Sequence, residues 1–325
     1  MLREEIIEFL GEDWQSLNSY IKEYLHSEIH LLQEVNDEIV SHGGKMLRPI
    51  VALLVSRLVS GASGAGDEAV RVAVATELLH NATLLHDDVA DDSPTRRGNP
   101  TLSSQIGAHS AVLVGDFWLA RAMQVLMSTE RKGAIAKVFS TAMTNLAEGE
   151  MLQLQKSFGE KTTCEDYLRI IYCKTASLFE TACEGAAITS GASEEQLSHI
   201  KEYAVCMGIA FQIKDDILDY VGDVALGKPV GIDLKEQKIT LPLLCAMEGS
   251  GREDEIRKMI YDIHSNPQYC EQIRTFVFER QGVQKAASIL EEYIQKSGHA
   301  LDIFPDCQAK RYLVKIAEYN TVRKS

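Results

Sequence analysis

An all-α fold is predicted on three observations. Apolar residues recur with a 3.6-residue period along almost the whole chain, no stretch keeps up the two-residue alternation of a half-buried strand, and the prolines fall at the edges of the periodic segments. The periodicity predicts helices over residues 2–26, 28–42, 48–60, 67–92, 109–128, 131–157, 164–190, 194–222, 238–249, 251–264, 268–280, 282–303 and 307–323. Pro49 opens one of these segments. The run Gly61-Ala62-Ser63-Gly64-Ala65-Gly66 reads as a loop with Asp67 as the cap of the next helix, and Ser193 is placed to cap another. Pro94 and Pro100 bracket a loop, Pro229 lies in a Gly-rich one, and Pro242, Pro267 and Pro305 sit near further breaks. Long helices that are apolar on several faces belong inside a large bundle. Length alone allows two domains, but no linker, repeat or low-complexity tract divides the chain, so a single domain over 1–325 is expected.

Composition narrows the function classes. A net charge of −14 argues against nucleic acid or an anionic membrane as the main partner. Cys164, Cys173, Cys183, Cys206, Cys245, Cys270 and Cys307 are scattered singly, without a zinc-type pair, and read as reduced thiols of a cytosolic protein. The charged start Met1-Leu2-Arg3-Glu4-Glu5 predicts no signal peptide, and no apolar run comes near the roughly 20 residues that span a bilayer. A cytoplasmic location without an integral membrane segment is expected, with at most transient membrane contact.

Two Asp-rich clusters carry the chemistry. One is His86-Asp87-Asp88-Val89-Ala90-Asp91-Asp92 and the other is Lys214-Asp215-Asp216-Ile217-Leu218-Asp219. In each, carboxylates fall at i, i+1 and i+4, and i and i+4 share one face of a helix. Asp87 with Asp91, and Asp215 with Asp219, each form a claw. Like charges packed this tightly call for a cation between them. Hard oxygen ligands suit Mg²⁺, which takes one or two protein carboxylates together with phosphate oxygens.

Basic residues complete the set. Lys45 and Arg48 flank a glycine turn, Arg96 and Arg97 follow the first claw, Lys174-Thr175 lies within a long helix, and Lys228 and Lys238 follow the second claw. Arginine binds phosphate as a fork and lysine as a point charge. Metal-bridged and metal-free diphosphates need carboxylates and a basic cup respectively, and both are present. Alone, each feature has an ordinary explanation. A helical carboxylate pair is commonly a solvated face, Arg96-Arg97 commonly surface, and His80 and His86 commonly helix-packing residues. The spacing shared by two claws beside apolar sequence sets them apart.

With these motifs the chain resembles the trans-isoprenyl diphosphate synthases of the polyprenyl synthetase family, of the long-chain type, from about residue 30 to the C-terminus. Leu84 to Asp91 with Arg96-Arg97-Gly98 is similar to the first Asp-rich motif, and Phe211-Gln212 to Asp219 to the second. Gly43-Gly44-Lys45-Met46-Leu47-Arg48-Pro49 resembles a glycine-basic segment in which Arg is usual at Met46. Gly231 to Pro242 resembles the closing-loop segment, with Gln237 in place of a usual Gly.

The resemblance implies an isoprenoid-synthase-type helical bundle around a deep central cavity with the claws at its mouth, and a homodimer. It implies head-to-tail prenyl transfer from an allylic diphosphate, farnesyl or geranylgeranyl, to isopentenyl diphosphate. Asp87, Asp88, Asp91, Asp215, Asp216 and Asp219 match ligands of two or three Mg²⁺ ions bridged by diphosphate, some through water. Arg96, Lys174, Gln212, Lys228 and Lys238 match allylic-diphosphate contacts or their neighbours, and Lys45, Arg48, His80 and Arg97 match the isopentenyl-diphosphate cup. Carbonyls near Lys174 and Thr175 and the amide of Gln212 are placed to stabilise an allylic cation, and the departed diphosphate is the expected base.

Product length has its own signal. In this family the positions four and five before the first Asp help to close the chain pocket, and short-chain enzymes put aromatic rings there. This chain has the small residues Thr83 and Ala82, lacks the two-residue insertion of bacterial short-chain enzymes in its first motif, and offers Phe139 as a deeper floor. A long-chain product of six to eight or more isoprene units is expected, with eight the best single value, for use as a quinone tail. Alternatives are a shorter-chain synthase, a terpene cyclase, a helical phosphohydrolase and a non-catalytic partner subunit. The paired claws and the cup argue against the cyclase, the absence of His from the second claw against the hydrolase, and the intact claws against the partner subunit.

Overall fold

Helices dominate the computed structural model, which describes residues 2–41, 44–96, 98–157, 161–222 and 231–322. In chain order they are α1 (Leu2–Leu10), α2 (Glu12–Tyr24), α3 (His30–Ser41), α4 (Leu47–Ser60) and α5 (Asp67–Ala90). A two-residue antiparallel hairpin follows, β1 (Thr95–Arg96) with β2 (Asn99–Pro100), in the register Thr95 to Pro100 and Arg96 to Asn99. Next come α6 (Leu102–Ile106), α7 (Ala108–Met127), α8 (Lys132–Ser157) and α9 (Cys164–Ile171), a π-helical turn at Tyr172–Ala176, then α10 (Ser177–Thr189) and α11 (Glu194–Val221). The chain ends with α12 (Ile232–Lys235), α13 (Leu241–Met247), α14 (Glu253–Tyr261), α15 (Gln268–Glu279), α16 (Gly282–Ala300) and α17 (Gln308–Val322).

The all-α expectation holds, with local departures. The first predicted helix is split at Gly11, and the segment 164–190 is interrupted by the π-turn. The helix of the first claw stops at Ala90, where Asp92 turns left-handed at φ 47°. Gly66 takes the cap position expected of Asp67, which instead accepts hydrogen bonds from Tyr20 and Arg71. Ser193 caps α11 as expected, its Oγ accepting from the Gln196 amide at 3.1 Å. The bracketed loop at 95–99 contains the small hairpin. Among the described residues α7 is the one helix long and apolar enough, by length and composition alone, to cross a membrane, a test that a core helix also passes, and it packs along α5.

By contacts the chain divides into two compact units. The first comprises Met1–Ser140, Thr181–Ile200 and Phe304–Tyr312, and the second comprises Thr141–Glu180, Lys201–Ile303 and Leu313–Ser325.

In the first unit α4 buries an unbroken run from Pro49 to Leu58, and α5 buries nearly every residue from Ala69 to Leu79. Helices apolar all round must be internal, and α5 packs along both α4 and α7. Gly115 of α7 permits the approach to α5, because a Cβ there would lie 2.3 Å from His86 Nε2. Arg57, 8% exposed, ties α4 to the first two helices through Asp13 and the carbonyls of Phe9 and Leu10.

In the second unit α13 is buried along its whole length. It shares one apolar cluster with Tyr167 and Ile171 of α9, Ile213, Ile217 and Tyr220 of α11, Ile273 and Phe276 of α15, and Leu290 of α16. This packing seats the second Asp cluster on a rigid helix.

Candidate functional site

The first claw sits at the C-terminal end of α5. Asp91 lies just beyond the last helical residue, and its N–H donates to the Asp87 carbonyl at 2.8 Å, which preserves the one-turn stacking of the two residues. Asp87 is half-buried and Asp91 exposed, but Asp88 is buried at 5% exposure. Its carboxylate accepts from Arg96 Nε at 2.6 Å, so the hairpin folds a predicted phosphate-binding cation back onto the claw. His86 packs against Gly115 and reaches Asp116 at 3.4 Å, in keeping with a helix-packing role.

Two of the residues expected in the basic cup meet in the same unit. Arg48 Nη1 lies 3.1 Å from His80 Nε2. Arginine can only donate, so this ring nitrogen accepts and the imidazole proton belongs on Nδ1. Lys45 is exposed just before α4, after which Met46 takes the left-handed conformation at φ 50°. Arg97, also expected in the cup, and Lys228 lie outside the described residues.

The second claw repeats the pattern of the first. Asp215 and Asp219 are half-buried, while Asp216 is 3% exposed. Asp216 Oδ2 accepts from the Tyr167 hydroxyl at 2.6 Å and Oδ1 from Gln212 Nε2 at 2.8 Å. The Gln212 carbonyl oxygen in turn accepts from Thr175 Oγ1 at 2.8 Å. Asp219 accepts from the backbone amides of Ile232 and Asp233 at 3.0 and 3.1 Å, which seats the closing segment on the claw. Burial raises the Asp216 carboxyl above the usual carboxylate range against the lowering effect of Tyr167 and Gln212. Burial also raises Asp219, opposed by its two backbone donors. Burial, and then the Asp216 charge, push the Asp233 carboxyl up to about 8.

Lys174 and Thr175 fall in the π-turn, a feature that periodicity cannot reveal. Such turns re-aim side chains and recur at functional sites. Lys174 Nζ donates to Gln153 Oε1 at 3.1 Å and pairs with Glu150. Lys238 pairs with Glu236. Gln237 takes φ 57°, the conformation a glycine adopts without strain, and its side-chain amide is held by the Tyr261 carbonyl at 2.8 Å.

The chain-length candidates all lie in the first unit. Ala82 is 1% exposed on α5, and Thr83 donates to the His80 carbonyl. Phe139 is 1% exposed; a Cβ added at Gly185 would meet Val72 at 2.8 Å and the Phe139 ring at 3.8 Å. Val72, Phe139 and Gly185 therefore close together below the level of Ala82.

Sequence reasoning gave no role to Tyr167, Glu150, Gln153 or Asp233. Tyr167 lies seven residues before Lys174, about two helical turns, which is the one signal that placed it on the same face.

Among the described residues, no three His, Cys, Asp or Glu side chains converge closely enough to hold an ion by themselves. The oxygen-only donors fit Mg²⁺ shared with a phosphate group, since that ion keeps few protein ligands. In both clusters the second Asp is the buried one and the outer pair is the more exposed.

Comparison with known proteins gives concordant findings. The family described as Polyprenyl synthetase matches residues 29–277. The chain is 37% identical to an octaprenyl diphosphate synthase of Escherichia coli K12, with 97% of each chain covered. It is 38% identical to an all-trans-nonaprenyl-diphosphate synthase of Rhodobacter capsulatus described as geranyl-diphosphate specific, covering 97% of this chain and 96% of that one. A crystal structure of a polyprenyl synthase from Caulobacter crescentus CB15, complexed with calcium and isoprenyl diphosphate, superposes with a TM-score of 0.90 at 31% identity, covering 99% of this chain and 98% of that one.

Proposed function

Because the chain belongs to the polyprenyl synthetase family, we propose that it is a prenyltransferase that condenses isopentenyl diphosphate with an allylic diphosphate, head to tail, into an all-trans polyprenyl diphosphate of about C30–C40 or longer. The family match runs through segments of both compact units, which supports one functional domain. The relatives with long-chain names cover nearly the full length, which supports the long product.

One observation carries the site assignment. Two Asp clusters share the same burial pattern, with Asp88 and Asp216 buried and held by side chains while Asp87 with Asp91 and Asp215 with Asp219 are more exposed. The more exposed pairs are the proposed Mg²⁺ ligands toward the allylic diphosphate. The relative bound with calcium and isoprenyl diphosphate supports a divalent cation beside such a substrate. When bound, Mg²⁺ neutralises charge on the departing diphosphate.

The chain's own residues do the rest. Lys174, aimed by the π-turn, stabilises the leaving diphosphate. Thr175 and Gln212 stand beside it with oriented dipoles for the allylic cation. Lys45, Arg48 and His80 hold isopentenyl diphosphate without metal. Ala82, buried, and Thr83, half-buried, put no ring in the way of the growing chain, and an apolar enclosure is needed to keep water from the cation. A homodimer, a quinone-tail destination and a farnesyl or geranylgeranyl primer belong to the same proposal.

The test is incorporation of radiolabelled isopentenyl diphosphate by the purified chain, with farnesyl diphosphate as primer. Mg²⁺-dependent incorporation that falls by orders of magnitude in both Asp87→Ala and Asp215→Ala, with unchanged helical circular dichroism, is expected. Full activity in EDTA, or near-normal activity of both variants, contradicts the assignment.

A further inference from the structure

Asp216 is the most enclosed carboxylate of the second claw, and both of its oxygens are engaged by neutral donors. One is Gln212, one turn earlier on α11. The other is Tyr167, which reaches across from α9 with its ring 3% exposed and its hydroxyl 2.6 Å from Oδ2. The partner of Asp88 in the first cluster is instead a full cation, Arg96. The two inward-facing carboxylates are therefore held by opposite means. Arg96 cancels the charge of Asp88, whereas Tyr167 fixes the direction of Asp216 without cancelling its charge.

The position of Tyr167 is itself over-determined. It lies on α9, whose first turn is locked by a reciprocal capping box: the Asp166 amide donates to Thr163 Oγ1, and the Thr163 amide donates to Asp166 Oδ2. Its ring is packed into the apolar cluster with Ile213, Ile217 and Leu241. Among the described residues the hydroxyl's hydrogen bond is to Asp216.

We propose that Tyr167 is a positioning residue for the second claw, setting the orientation of Asp216, the neighbour of Asp215 on α11, and joining it through Gln212 to Thr175 beside Lys174. The proposal rests on the assignment of Asp215 and Asp219 as Mg²⁺ ligands. Partners that orient metal-facing carboxylates typically govern affinity by 10–100-fold when removed. The relay Tyr167–Asp216–Gln212–Thr175 also fixes which end of the Gln212 amide faces Thr175, since the amide NH₂ is committed to Asp216. Loss of the Tyr167 hydroxyl leaves Gln212 still holding Asp216 Oδ1 but Oδ2 no longer fixed.

The experiment is Mn²⁺ binding followed by electron paramagnetic resonance, with inorganic diphosphate as co-ligand, on the wild-type chain, Tyr167→Phe, Asp216→Asn and the double variant. Tyr167→Phe keeps the ring and the packing, and its thermal transition and near-ultraviolet circular dichroism report the fold independently. The expected result is a loss of Mn²⁺ affinity of about tenfold or more in Tyr167→Phe, with no further loss when it is added to Asp216→Asn. Unchanged affinity in Tyr167→Phe overturns the positioning role, as do fully additive losses in the double variant. Absence of diphosphate-dependent Mn²⁺ binding in the wild-type chain overturns the metal assignment itself, a distinguishable failure.

Discussion

Arg48 Nη1 and His80 Nε2 meet at 3.1 Å, joining α4 to α5 at the two residues expected to hold isopentenyl diphosphate. The contact preorganises the guanidinium before any substrate arrives. A charged hydrogen bond is worth roughly 1.5–3 kcal/mol. Arg48→Ala is therefore expected to raise KM for isopentenyl diphosphate by about ten- to a hundredfold, with a smaller change in kcat. Lys174→Ala is expected to lower kcat and weaken use of the allylic substrate instead. Steady-state kinetics varying each substrate in turn checks this. Equal effects of the two variants on both substrates would merge the two pockets into one.

The Asp233 carboxyl gives a pH prediction. Its folded-state value is raised from 3.8 to about 8, chiefly by burial and then by the Asp216 charge. The folded state thus binds this proton more tightly than the unfolded chain does. Its contribution is fully present below the unfolded value and is lost as pH rises through the folded one. Asp233→Asn removes the cost of ionisation. In EDTA, the variant and the wild type are expected to melt together at about pH 4, with the variant melting a few degrees higher at about pH 9. A Tm difference that is the same at both pH values would show that the carboxyl does not titrate in this window.

Arg57 anchors the N-terminal helices by a different mechanism. It is 8% exposed and makes hydrogen bonds to the Asp13 carboxylate at 2.8 Å and to two backbone carbonyls at 2.7 Å each. Truncation leaves Asp13 and both carbonyls short of a donor. Breaking an enclosed ion pair from one side costs about 3–5 kcal/mol, so Arg57→Ala should lower the unfolding midpoint in urea by a corresponding amount. Arg57→Lys should recover only part of it, because one ammonium cannot serve three acceptors in a fork geometry.

The sequence was most legible where chemistry depends on helical periodicity. The i, i+4 spacing of Asp87 with Asp91 and of Asp215 with Asp219 can be read from the chain because both pairs lie on or just beyond regular helix. Which carboxylate of each doublet turns inward could not be read, since that depends on Arg96 in a hairpin and Tyr167 on another helix. The π-turn at Lys174 also left no mark, because one extra residue per turn changes no residue type. At Gln237, where the resemblance makes glycine usual, the backbone takes a positive φ of 57°. The chain keeps that backbone and holds the longer side chain with carbonyls of Ile260 and Tyr261, partners 23 and 24 residues away.

Product length tests the account most directly. Ala82 is 1% exposed on α5, five residues before Asp87, so about 7.5 Å along the helix axis. A chain growing from the claw must pass that level within its first few units. A ring placed there meets a close-packed interior with little room to yield. The measurement is chromatography of the dephosphorylated products of the wild-type chain and Ala82→Phe, made from the same primer. The account predicts about six to eight or more isoprene units for the wild type and about three or four for Ala82→Phe, with turnover largely retained. Wild-type product length from a folded and active Ala82→Phe, or a wild type that itself stops at about four units, would contradict it.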